Sequence, residues 1–137
     1  MNVEEQINQH LSSLPAEKQS DMLTLHGLFR SWKPDYKTWY LSGTDEKGKV
    51  ITNPNIGYGL YQIPYKNGTF RDFYRIGIAA TQQGISVYFM NPEDRKLLTS
   101  KFKSDLGKAT ISGYCLKFKK LEEIKLDVFH SILKTID

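Results

Sequence analysis

The sequence predicts an α+β fold, an antiparallel β-sheet with hairpins backed by N-terminal and C-terminal helices. Three observations predict it. Apolar residues recur at helical spacing near both ends of the chain. The stretch 56–90 between them, IGYGLYQIPYKNGTFRDFYRIGIAATQQGISVYFM, reads as three antiparallel strands joined by tight turns. Within it, Asn67-Gly68 sits between aromatic-rich runs, the strongest short hairpin signal. Helices grouped at the ends and hairpins in the middle argue against a doubly wound parallel sheet.

The elements follow in order. Val3, Ile7, Leu11 and Leu14 lie on one helical face, which predicts a short amphipathic helix over 3–13. Leu14-Pro15-Ala16-Glu17 opens a second helix, with proline suited to the first helical position and Glu17 complementing the dipole. Met22, Leu25, Phe29 and Trp32 continue its apolar stripe until Lys33-Pro34 stops it, because the residue before proline is pushed out of the α region. Residues 36–41 suit a short strand, Asp45-Glu46-Lys47-Gly48 a turn, and Val50-Ile51-Thr52 a strand running up to Asn53-Pro54. Gln82-Gln83-Gly84 turns a second hairpin between Tyr74–Ala80 and Ile85–Met90. Asn91-Pro92-Glu93-Asp94 carries the cap, proline and acids of a helix start, and that helix runs to about Lys103. Gly107 breaks the chain, Tyr114–Lys119 alternates as a last strand, and Leu121 to Ile136 form a closing amphipathic helix.

Size and composition bound the function. At 137 residues the chain fits a single domain over 1–137, since two cores of half that length would each be marginal. Apolar and charged fractions of 39% and 25% exclude a disordered chain. Apolar runs fall well short of the roughly 20 residues needed to span a bilayer, so no membrane partner is expected. The acidic, polar MNVEEQINQH is not read as a signal or transit peptide, and the lone Cys115 favours a reducing, cytoplasmic setting. Asn67-Gly68-Thr69 is therefore read as a turn and not as a glycosylation site.

The net charge of +4 is unevenly placed: between Arg95 and Lys125 there are nine basic residues against three acids. Such a surface can attract anions. No nucleic-acid motif accompanies it, so nucleic acid is not an expected partner and a solvated lysine face is the plainer reading.

The order of these pieces resembles the YdhG-like domain family, small bacterial proteins mostly of unknown function. The residues that carry the resemblance are Leu14-Pro15 with Glu17 between two helices, Ile56-Gly57-Tyr58-Gly59, Tyr61, Tyr65, Gly68, Asp72-Phe73 and Ile76-Gly77. It continues through Tyr88 and Met90, Gly107-Lys108, Cys115-Leu116, Lys119 and Lys120-Leu121, covering nearly the whole chain. The resemblance implies an α+β fold of the YdhG type, comparable to frataxin, and an iron-chaperone role. The chain departs from the family at Gln62 and Pro64, at Thr81 and Gln82, and at Thr110–Gly113, where family members carry basic groups, and it has an insertion between Trp39 and Gly57. An anion site built on the family's basic groups would be depleted here.

No catalytic triad, metal-ligand spacing or phosphate loop occurs in the sequence. Candidate sites are accordingly weighed one by one. Strand alternation puts Tyr114, Leu116 and Phe118 on one face and Cys115 with Lys117 and Lys119 on the other. Ammonium groups there would lower the thiol pKa and favour a nucleophilic thiolate, the basis of an alternative reading as a thiol-dependent enzyme. The plainer alternative is a small, partly buried strand residue, since His10, His26 and His130 all fall on helices and none is placed as its base. Glu4, Glu5, Glu17 and Asp21 would be the ligands of an alternative iron site, although acids at helix starts already complement the dipole. Tyr58, Tyr61 and Tyr88, among the aromatics of the strand block, would line a ligand pocket. Alternation separates Tyr58 from Tyr61 and Tyr65 and sends much of this set into the core, while Gly57 and Gly59 leave room for close packing beside Tyr58.

The sequence thus leads to a small non-enzymatic binding or chaperone-type module. Tyr58, Tyr61, Tyr88, Cys115 and Lys117 are its candidate ligand residues, and no cofactor is expected unless iron is bound. The partner, a small ligand or a protein, and the oligomeric state are left open.

Overall fold

The computed structural model describes residues 1–101 and 106–136. In helix α1 (Val3–Ser12) the Asn2 side chain accepts the Glu5 amide at 2.9 Å, satisfying a donor that the first turn leaves free. Helix α2 (Ala16–Trp32) follows after a short link, with Pro15 one position earlier than the spacing predicts, at the cap itself. The two helices bury Ile7 and Leu11, and Met22, Leu25 and Phe29.

The strands are β1 (Thr38–Leu41), β2 (Asn55–Tyr58), β3 (Tyr61–Pro64), β4 (Phe70–Phe73), β5 (Ile76–Thr81) and β6 (Gly84–Phe89). Helix α3 (Pro92–Lys101) comes next, then β7 (Thr110–Ser112), β8 (Cys115–Phe118) and helix α4 (Leu126–Thr135). Six strands form one antiparallel sheet in the order β1-β2-β5-β6-β8-β7, while β3 and β4 pair as a separate ribbon. The α+β class with helices at both ends is therefore the observed one.

Register gives the sheet two chemically distinct faces. Ile56, Ile78, Val87 and Leu116 stand in one cross-strand row, and Tyr58, Ile76 and Phe89 in another. All of them belong to the core, together with the apolar stripes of α1, α2 and α4. Phe29 joins three elements there, stacking on Tyr58 at 4.8 Å between ring centroids and meeting Phe129 edge-on at 6.0 Å. Asp94, buried in the first turn of α3, receives Arg75 in two hydrogen bonds of 2.8 and 2.9 Å, and the same guanidinium donates to the Tyr36 hydroxyl at 3.2 Å. That cluster fixes α3 against the start of β5.

Several expectations need correction. The block 56–90 contains the last residues of β2 and four further strands instead of three in all, because Gly59 adopts φ +80° and turns the chain out of the sheet after Tyr58. Residues 59–75 form an excursion carrying the β3–β4 ribbon, closed where the Arg75 amide donates to the Tyr58 carbonyl at 3.0 Å. Residues 50–52 are not a strand: the Ile51 and Thr52 amides both donate to the Gly43 carbonyl, and Val50 and Ile51 stay exposed. The Asp45 carboxylate holds the preceding turn by accepting the Lys47 and Lys49 amides, each at 2.9 Å.

The closing segment starts with a 3-10 turn at Leu121–Glu123 and becomes α-helical only at Leu126. There the Leu121 amide donates to Asp21, and the Lys125 amide to the Leu106 carbonyl, so the chain is held extended at Ile124. Strand β7 was not foreseen, and it pairs with β8 at the sheet edge. The predicted end of the third helix near Lys103 lies outside the described residues.

Candidate functional site

The face of the sheet turned away from the helices is built from small and polar residues. One row runs Ala79, Ser86, Lys117, Thr110, and the parallel row runs Trp39, Gly57, Gly77, Tyr88, Cys115, Ser112. At the β1–β2–β5 end this face is covered. The Tyr74 ring lies across Gly57 and Gly77, where any Cβ would overlap it: its inner carbons sit over Gly57 and its hydroxyl end over Gly77. Phe73 stacks on Tyr74 at 4.2 Å, and Trp39 meets Phe73 at 6.2 Å.

Towards β6, β8 and β7 the cover ends and a groove of about 1090 Å³ opens. Ser86, Tyr88, Cys115 and Lys117 form its floor, and Tyr114, Lys108 and Thr110 stand at its sides. Tyr88 and Tyr114 approach to 5.9 Å between ring centroids, tilted by 40°. At the β2 end of the face, beyond the groove lining, Asn55 is buried and its Oδ1 has no hydrogen-bond partner among the described residues.

The structure brings together three of the five candidate ligand residues. Tyr88 and Cys115 are direct cross-strand partners, and Lys117 is two residues along from Cys115 on the same face. Tyr58 points the other way, into the core, where its hydroxyl and His26 Nδ1 are 2.6 Å apart. Tyr61 lies on the β3–β4 ribbon opposite Phe73. Neither is at the groove.

Cys115 is buried, in keeping with the plainer reading of it as a small strand residue. Its thiol is pushed above the ordinary value, chiefly by burial, and Lys117 and Ser86 only partly offset that. At 8% exposure the thiol gains no net activation from the lysines of its strand. Tyr114 departs from expectation: it stands exposed in the turn before β8 and does not join Leu116 and Phe118 in the core. Burial likewise raises the Tyr88 and Tyr74 phenols, so both remain hydrogen-bond donors at neutral pH.

Three of the four acids proposed for iron have separate partners. Glu4 pairs with Arg30, Glu17 lies 3.8 Å from Lys120, and Asp21 accepts the Leu121 amide. Among the described residues no group of three or more His, Cys, Asp or Glu side chains is placed to hold a metal ion.

Sequence reasoning missed Ser86, and it counted Tyr74 among the pocket aromatics without its place over the glycines. The signal for Tyr74 was the pair Gly57 and Gly77, which become neighbours only once β2 pairs with β5. A second cleft, of about 430 Å³, lies between α2 and α4 over Leu28, Trp32 and Leu126. It is apolar and carries none of the candidate ligand residues.

Fold and site together define an α+β domain with one helix-covered sheet face and one face open over a polar, aromatic groove. No family model, curated protein or solved structure matches the chain. No described helix is long and apolar enough to cross a membrane.

Proposed function

We propose that this protein is a small non-enzymatic binding module whose ligand site is the groove over Ser86, Tyr88, Cys115 and Lys117. One observation carries the reading: alternate residues of β6 and β8 place a hydroxyl, a phenol, a thiol and an ammonium on the floor of one concave surface. Ligand sites are typically concave, with a few convergent polar groups among aromatic walls. The protonated thiol favours binding over covalent chemistry. The order of elements supports a place among YdhG-like domains, and the single free cysteine supports a reducing cytoplasm as the site of action.

The test is a ligand-observed NMR screen of small fragments against the wild-type protein and a Thr110→Trp variant. Thr110 is exposed and lines the groove, so an indole there obstructs it without disturbing the core. Fragments that bind the wild type and are lost in the variant support the reading. An absence of binders, or binding unchanged by the indole, removes it.

A further inference from the structure

We propose that the groove takes a small aromatic anion, a planar ring bearing a carboxylate or a phosphate. This rests on the groove being a ligand site, and it adds what the ligand must look like.

The charge around the groove is one-sided. Lys108, Lys117 and Lys119 line it against a single carboxylate, Glu123. Glu123 is already engaged, since its Oε1 accepts the Lys120 amide at 3.2 Å. A cationic ligand would meet three ammonium groups, whereas an anion meets complementary charge on arrival. The walls favour a ring. Tyr88 and Tyr114 present tilted aromatic surfaces 5.9 Å apart by centroid, the geometry in which a further flat ring can stack or meet an edge.

A third observation is independent of the lysines. Tyr74 is 4% exposed, and its hydroxyl end lies over Gly77. The ring runs from Gly57 towards Gly77, and the next residues in that row are Tyr88 and Cys115, both on the groove lining. The hydroxyl is therefore aimed along the floor of the sheet at the groove. A phenol hydroxyl placed there can donate to an acceptor oxygen arriving from a ligand. Burial keeps this phenol, the Tyr88 phenol and the Cys115 thiol protonated, so the inner end of the groove offers donors to an anionic oxygen. A neutral apolar ligand would leave these donors and the lysines unused.

Four probes of similar size separate the possibilities when titrated by ¹H-¹⁵N NMR: 4-hydroxybenzoate, phenyl phosphate, 4-hydroxybenzyl alcohol and tyramine. The two anions should perturb Ser86, Tyr88, Cys115 and Lys117, and which binds tighter separates carboxylate from phosphate. The neutral and cationic probes should bind roughly tenfold more weakly, the factor for loss of one charge-assisted contact. Lys117→Ala and Tyr74→Phe should each weaken the better anion several-fold, while Lys117→Arg retains it. Lys117 is exposed and Tyr74→Phe removes only an oxygen, so both variants should fold. Equal affinity for the alcohol and the anions at the groove overturns the anion and leaves the binding module standing. Binding of anions that neither Lys117→Ala nor Tyr74→Phe alters also overturns it. Perturbation of the groove by none of the probes, together with a failed fragment screen, removes both readings.

Discussion

The two faces of the six-stranded sheet are made from alternate residues of the same strands, yet they have opposite physical characters. Against the helices stand Ile56, Tyr58, Ile78, Val87 and Leu116, closed by Phe29 and Phe129. On the other side stand Gly57, Gly77, Ser86, Tyr88, Cys115 and Lys117, part covered by Tyr74 and part open. Every second residue was free to serve packing, and the residues between them were left for something else. Substitutions on the two faces should therefore separate stability from binding.

The largest effect is expected on the covered face. Phe29→Ala should destabilise the protein by about 3–5 kcal/mol in urea denaturation, because it empties the contact among α2, β2 and α4. Anion binding per folded molecule should be unchanged. A loss of affinity in the folded fraction would break the separation of the two faces.

Next comes the boundary between the covered and open parts of the far face. Gly77→Ala places a methyl group where the Tyr74 ring lies, so the ring must move. The expected cost is about 1–3 kcal/mol, the range for overpacking, with the Tyr74 hydroxyl displaced from its place over Gly77 at the same time. Stability and anion affinity should fall together here, unlike in Phe29→Ala. A variant as stable and as tight-binding as wild type would show that Tyr74 does not rest on the glycines.

How much of this was legible in the sequence follows from the range of each interaction. The Asn67-Gly68 and Gln82-Gln83 turns were readable because the turn chemistry is local, and both hairpins form where expected. The helical stripes of Ile7, Leu11, Met22, Leu25 and Phe29 were readable from their spacing. The break at Gly59 was not, since Tyr58 to Pro64 reads as one aromatic strand until a positive φ interrupts it. The groove was only half legible. Alternation put Cys115 with Lys117, but the pairing of Tyr88 with Cys115 crosses α3 and β7 in sequence. For Cys115 the lysines of its strand are visible in the sequence, whereas the extent to which burial outweighs them is not.

A smaller effect separates the faces by pH. Burial lowers the His26 pKa below its ordinary 6.5, with Glu4 opposing and Arg30 reinforcing that shift. The unfolded chain therefore takes up this proton at higher pH than the folded one, so stability rises with pH through this range. The contribution is present above 6.5 and is lost as pH falls through the folded value. His10 is lowered by burial in the same sense. Denaturation midpoints measured from neutral to mildly acidic pH should fall in the wild type and fall less steeply in His26→Gln. An equal slope in the variant would assign the acid sensitivity elsewhere.

The smallest perturbation is read at Cys115 itself. Its alkylation by iodoacetamide should be slow at neutral pH, with a midpoint above the ordinary 9.0. A midpoint below 9.0 would return the thiolate chemistry that burial argues against.

The division of labour between the two faces is tested most directly by mapping 4-hydroxybenzoate onto the protein through ¹H-¹⁵N chemical-shift changes. Changes confined to the open face at Ser86, Tyr88, Cys115 and Lys117, and abolished in Thr110→Trp, are the predicted result. Changes centred on the α2–α4 cleft at Trp32 and Leu126, or on the β3–β4 ribbon, would contradict it.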